Sequence, residues 1–108
     1  MGFFDFVKKE HKTMNINAAL KNLPESAVII DVREPQEYAQ GHIPGSINVP
    51  VMAIRRIGER VPDKSTPLFV YCRSGARSNR AVMYLLDTGY SDVTDMGGVA
   101  SYRGTLET

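Results

Sequence analysis

One cysteine, no tryptophan and two histidines in a chain of 108 residues narrow the chemistry this protein can perform. A single thiol excludes an internal disulfide, and it excludes a second thiol in the same chain to resolve a bond formed at the first. His11 and His42 stand far from one another and from Cys72, without zinc-ligand spacing. No metal or organic cofactor is indicated. No apolar run approaches the roughly 20 residues of a membrane span. The N-terminus lacks the basic start and continuous apolar core of a secretory signal, so a reducing, cytoplasmic location is expected. A formal net charge of +1 gives no argument for nucleic acid or a membrane as partner.

What is present is the composition of an ordinary folded domain, 43% hydrophobic and 23% charged. The length suits one domain with a real core. The first residues are the exception. Phe3, Phe4 and Val7 can share one helical face with Lys8 and Lys9 opposite. This leader, residues 1–12, is read as a helical turn packed on the domain or a frayed end. A membrane-surface anchor or dimer contact is the disfavoured alternative, and position 6 is Phe, not the Ser or Thr of a myristoylation signal.

From residue 13 to 108 short apolar runs alternate with helical patterns. Met14 to Ile16 reads as a short strand, and Asn17 as the cap of a helix over 18–23 that Pro24 stops. Ala27 to Ile30 is a continuous apolar run, as expected of a strand buried on both faces. Glu34 to Gln40 reads as a short helix with Pro35 in its first turn, followed by a turn over His42 to Gly45 and a strand over Ser46 to Val49. Ile54, Ile57 and Val61 recur at near-helical spacing. Leu68 to Tyr71 is the next strand, and Val82, Leu85 and Leu86 mark the following helix, which Gly89 ends. A last strand over Ser91 to Asp95, a turn at Gly97-Gly98 and a final helical turn over Val99 to Arg103 complete the pattern. Such alternation predicts an α/β domain with a parallel sheet.

One stretch organises the rest. Leu68-Phe69-Val70-Tyr71 feeds Cys72 into the short polar loop Arg73-Ser74-Gly75-Ala76-Arg77, and Ser78 begins the amphipathic helix. A strand, a tight loop and a helix start aim successive N–H groups at one point, where the helix dipole is positive. A cysteine placed there ionises easily and becomes a nucleophile. A lone cysteine is otherwise often a small buried apolar residue; the basic, glycine-containing loop favours the nucleophile. Arg73 and Arg77 are expected to lower the thiol pKa and draw in an anion, Arg77 with a bracing role as its alternative. Ser74 is either a hydrogen-bond donor or a turn former, and Gly75 serves backbone shape. Arg80 reads as a solvated helix charge.

Four segments together resemble the rhodanese-like domains, in that family's order. They are Asp31-Val32-Arg33 with Glu37-Tyr38; Gly41-His42-Ile43-Pro44-Gly45-Ser46-Ile47-Asn48-Val49-Pro50; Tyr71 to Ser78; and Gly97-Gly98 with Tyr102 and Gly104. The resemblance covers the chain from about residue 14 onward. It implies the rhodanese-like fold, a central parallel five-stranded sheet flanked by helices on both faces. It implies that Cys72 is catalytic and carries a persulfide sulfur, and that Arg73, Ser74, Gly75, Ala76 and Arg77 form the cradle that binds it. Tyr102 stands where the family usually has Trp, a packing position.

The reaction so implied moves a sulfane sulfur from an anionic donor such as thiosulfate to a thiol, protein thiol or cyanide. Asp31, Arg33 and Glu37 are read as a salt-bridged brace at the strand end, and His42 as a hydrogen-bonding turn residue; none is expected to be catalytic. Two alternatives compete. A binding or thiol redox-sensing module would use the same cysteine without turnover. A cysteine-dependent phosphatase or arsenate reductase needs Arg five residues further past Cys72 than the adjoining position, where Ser78 stands, with Arg77 one residue early. The oligomeric state is not legible.

Overall fold

A computed structural model describes residues 11–108. The helical face proposed for Phe3, Phe4 and Val7 lies outside the described residues. Five strands form one wholly parallel sheet: β1 (Lys12–Thr13), β2 (Val28–Asp31), β3 (Ile47–Asn48), β4 (Leu68–Cys72) and β5 (Val93–Gly98). Their spatial order is β1-β5-β4-β2-β3. The helices are α1 (Ile16–Lys21), α2 (Pro35–Gln40) and α3 (Ala76–Asp87). Two 3₁₀ helices, Val51–Glu59 and Val99–Ser101, complete the fold. Parallel strands need crossovers, and the crossovers cover the sheet.

All five residues of β4 are buried, which is why its sequence is apolar without alternation. The pleat still sorts them. Leu68, Val70 and Cys72 face one core with Ile30, Val32, Ile54, Ile57, Val82 and Leu85, under α3 and the longer 3₁₀ helix. Phe69 and Tyr71 face the other, with Ile16, Ala19, Ile29, Ile43 and Met96. Cys72 thus lies on the α3 side, at the carboxyl end of the central strand. Leu85 is fully buried between α3 and the sheet. Leu85→Ala is expected to cost about 3 kcal/mol, read as a lower urea midpoint with an unchanged slope.

Several sequence expectations shift. β1 is at Lys12–Thr13, not Met14–Ile16, because Asn15 and not Asn17 caps α1: its Oδ1 accepts from the N–H groups of Asn17 and Ala18 at 2.9 and 3.4 Å. Asn17 is instead used at long range. Its Nδ2 donates to Ser101 O at 2.9 Å, and its Oδ1 accepts from Arg103 N at 2.9 Å. The segment carrying Ile54 and Ile57 is 3₁₀, for which a spacing of three is native.

The largest difference is at Gly97-Gly98, which is strand and not turn. Val70 pairs with Asp95 and Tyr71 with Gly97, so Met96 is an extra residue, a β-bulge. Gly97 adopts the left-handed region there at φ +74°, which suits a residue without Cβ. The bulge brings Gly98 opposite Cys72.

Candidate active site

Cys72 is the last residue of β4, 1% exposed. The chain leaves it through Arg73 and Ser74, both on the surface, and turns at Gly75, which caps α3 with φ +115°. The turn folds the loop back over the thiol. Gly75 N–H donates to Cys72 Sγ at 3.0 Å and Ser78 N–H at 3.3 Å. Ser78 belongs to the first turn of a twelve-residue helix, so its N–H is one of the unpaired donors at the positive end of the dipole. Burial pushes the Cys72 thiol up, but hydrogen bonds from Ser78, Gly75 and Ser74 outweigh it, and the net position is below an ordinary thiol. The sulfur therefore sits in a nest of backbone donors suited to a thiolate or another sulfur anion.

No arginine hydrogen-bonds Sγ among the described residues, although the Arg77 charge and an ionised Cys72 favour one another. Among the described residues, the groups hydrogen-bonded to Sγ are main-chain N–H groups. Arg77 reaches away to Glu37 on α2, with Nη1 to Oε1 at 2.7 Å and Nη2 to Oε2 at 3.1 Å. It braces the loop by a bidentate ion pair rather than through carbonyls. Glu37 thus pairs directly with the loop, and acts on Arg33 only through its charge. Arg73 is exposed at the rim, Ala76 opens the helix, and Arg80 is exposed as expected.

The Arg77 guanidinium, with the Glu34 N–H at 2.9 Å, holds the Glu37 carboxyl down to about 2, against an ordinary 4.5. A depressed carboxyl stabilises the fold fully above its unfolded value and loses that contribution as pH falls through the folded one. Acid unfolding should therefore steepen between those two values. Glu37→Gln is expected to remove that part of the pH dependence, about 1 kcal/mol for a pair this open to solvent, as measured by denaturant titrations across the acid range.

Asp31 and Arg33 do brace the strand end. Arg33 Nη2 donates to Asp31 Oδ2 and to Gly41 O, both at 2.7 Å, tying β2 to the end of α2. Asn48 Nδ2 bridges the carbonyls of Asp31 and Arg33 at 3.0 Å. His42 Nδ1 donates to Tyr38 O at 2.8 Å, and its ring stacks on Tyr38.

Two residues have a part in the site that the sequence did not assign to them. Asp95, 5% exposed, accepts from Ser78 Oγ at 2.8 Å and from Gly97 N–H at 2.9 Å on one oxygen, Oδ1. It fastens the first turn of α3 to the bulge. Gly98 is the other. A Cβ on it would fall 2.3 Å from Arg73 O and 2.7 Å from Ser74 Cα, so β5 supports the loop backbone by direct contact. Glycine inside a strand is the sequence signal for such close approach.

Beside the loop, the carboxyl ends of β2, β4 and β5 open into a cleft of about 440 Å³ lined in part by Arg33, Arg73 and Ala100, the usual place for a ligand in a parallel sheet. No group of metal-ligating side chains occurs among the described residues, and none of their helices is long and apolar enough to cross a membrane.

The family model of the rhodanese-like domain matches residues 16–104. The chain is 42% identical over 71 residues to the thiosulfate sulfurtransferase PspE of Escherichia coli, covering 65% of this chain and 68% of that one. It is 35% identical over 97 residues to the thiosulfate sulfurtransferase GlpE of Pseudomonas entomophila, covering 89% and 88%. Its structure is similar to that of a rhodanese with anions from E. coli, with TM-score 0.71 and 36% identity, covering 76% of this chain and 98% of that one.

Proposed function

The chain belongs to the rhodanese-like domain family, and from that premise we propose that it is a sulfurtransferase working through a persulfide on Cys72. The observation that carries the reading is the pair of N–H groups, Gly75 and Ser78, on a thiol held below its ordinary pKa. In the first step the Cys72 thiolate attacks the outer sulfur of a donor such as thiosulfate. The Sγ–S bond forms, the donor S–S bond breaks, and sulfite leaves with the electron pair. The terminal sulfur then carries the negative charge, and the loop N–H groups stabilise it without reorganisation. In the second step an acceptor thiolate or cyanide attacks that sulfur and Cys72 returns to the thiolate. Two half-reactions sharing one covalent intermediate give ping-pong kinetics.

The single cysteine requires that the second nucleophile come from outside the chain. The bidentate Arg77–Glu37 pair disfavours a phosphate reader, since the loop arginine is already engaged. The names of the relatives favour thiosulfate as the donor to test. The test is intact-protein mass after incubation with excess thiosulfate, followed by a cyanide chase. One added sulfur atom, removed by cyanide with release of thiocyanate over many turnovers, is the expected result. A thiol that gains oxygen but never turns over sulfur would mark a sensor instead.

A further inference from the structure

The cleft beside the cradle is much larger than an inorganic sulfur anion requires. At about 440 Å³ it falls among sites that hold small organic molecules. Its charges are mostly engaged already. Arg33 is held by Asp31 and Gly41 O, and Glu37 by Arg77. Arg73 forms no ion pair among the described residues and stands exposed on the cleft wall. Among the described residues, the cleft thus offers one uncommitted cation.

Gln40 and Gly41 line the cleft from the end of α2, and the apolar part of the wall comes from two other segments. Val99 and Ala100 follow β5 directly, and Ala100 N–H donates to Arg73 O at 3.2 Å, which joins this wall to the loop. Leu106 faces the cleft from the C-terminal segment, left 41% exposed although it is a large apolar side chain. It is fixed from both sides. Glu107 and His42 exchange two backbone hydrogen bonds, at 2.8 and 2.9 Å. Leu106 Cδ1 lies where a Cβ on Gly41 would approach within 3.1 Å, so the missing side chain of Gly41 seats it.

We propose that this cleft receives the sulfur acceptor, and that the acceptor is a small organic thiol carrying a carboxylate and an apolar body. Arg73 takes the carboxylate, and Leu106, Val99 and Ala100 take the body; Leu106 is the specificity-determining residue. The inference rests on the sulfur-transfer reading for its chemistry. The acceptor thiolate attacks the terminal sulfur of the Cys72 persulfide. A new S–S bond forms on the acceptor, the Sγ–S bond breaks, and its electron pair returns to Sγ as thiolate. The transferred sulfur keeps the negative charge it already carried and becomes the terminal sulfur of the acceptor's persulfide anion, so no oxidant or reductant is consumed.

The test uses the full chain loaded with sulfur from thiosulfate and freed of excess donor. Discharge is followed with 4-(mercaptomethyl)benzoate, with benzyl mercaptan as its uncharged counterpart, with cyanide, and with a reduced dithiol protein. The carboxylated thiol is expected to discharge wild type about tenfold faster than benzyl mercaptan, the effect of one charge-assisted hydrogen bond. Arg73→Gln should bring that ratio to about one. Leu106→Ala should lower the rate with the carboxylated thiol, relative to cyanide, about fivefold through lost apolar contact. Equal rates for the two benzyl thiols on wild type, or a ratio that Arg73→Gln leaves alone, overturn the proposal. So does discharge by the dithiol protein alone, which would make the occupant a macromolecule. A second arm needs no loaded sulfur: 4-methylbenzoate is titrated into the unloaded protein while the Leu106 methyl and Ala100 amide resonances are followed by NMR. Saturable shifts at both support the cleft, and none at either overturns it. Failure to load sulfur would count against the transfer reading, leaving this arm to judge the cleft.

Discussion

Cys72→Ser is expected to reduce sulfur transfer to the uncatalysed background, a loss on the order of 10⁴-fold or more, as for removal of other covalent nucleophiles, while the chain stays folded. The loss follows from the site. Two N–H groups and a helix start surround Sγ at the end of β4, an environment that favours a thiolate, but a serine hydroxyl has no comparable anion within reach of neutral pH. It therefore lacks the nucleophile those donors stabilise. Folding is spared because the serine oxygen can accept from the same N–H groups, so a buried polar atom is not left unpaired. A stability change of about 1 kcal/mol is expected. The check is intact mass after thiosulfate treatment alongside circular dichroism of both proteins. Sulfur gained by the serine variant would place the chemistry elsewhere, and no other cysteine exists to receive it. Alkylation of wild type as a function of pH supplies the complementary reading. Its midpoint should lie below that of a free thiol, in the direction the N–H donors impose.

The strand, loop and helix around Cys72 were legible because they are local. An apolar run ends in a polar loop, and helical periodicity follows within a few residues. The parallel sheet was legible for a related reason: the buried central strand β4 is continuously apolar, and β2 is apolar up to its last residue, Asp31. At the edges, β3 fell inside the strand expected over Ser46 to Val49, but β1 was misplaced: it is two residues long, too short to show a period, and Asn15 and Asn17 are equally good caps until Ser101 and Arg103 engage one of them. Within the site, what escaped was long-range pairing. Arg77 and Glu37 lie forty residues apart, and Asp95 meets Ser78 seventeen residues away. Charge pattern left Arg77 between the thiol and a bracing role, because its partner Glu37 belongs to another helix. The resemblance to rhodanese-like domains singled out the loop over 73–77, and the structure puts the main-chain N–H groups of Gly75 and Ser78 on Sγ.

Gly98→Ala is expected to remove most activity through a residue that offers no functional group at all. The dihedrals are not the obstacle, since φ −112° and ψ 136° suit any residue. The obstacle is contact. The added methyl would meet Arg73 O at 2.3 Å, Ser74 Cα at 2.7 Å and Arg73 C at 2.9 Å, all backbone that no rotamer change can clear. Either β5 withdraws from β4 or the loop lifts from its support. Lifting the loop carries Gly75 N–H away from Sγ, and a misplacement of about 1 Å at a reacting group costs on the order of 10²-fold. Overpacking of this kind also costs about 1–3 kcal/mol. Three measurements separate the effects: the denaturation midpoint, the rate of sulfur loading, and the pH midpoint of Cys72 alkylation. Instability alone lowers the first and leaves the last in place. Displacement of the cradle moves the last upward, because burial persists while its compensating donors are lost. Gly58→Ala, with open space around the new methyl, is the matched control and should be close to neutral in stability. Wild-type loading with an unmoved alkylation midpoint in Gly98→Ala would mean that the loop holds its shape without the strand beneath it, and that the donors at Sγ are set by helix α3 alone.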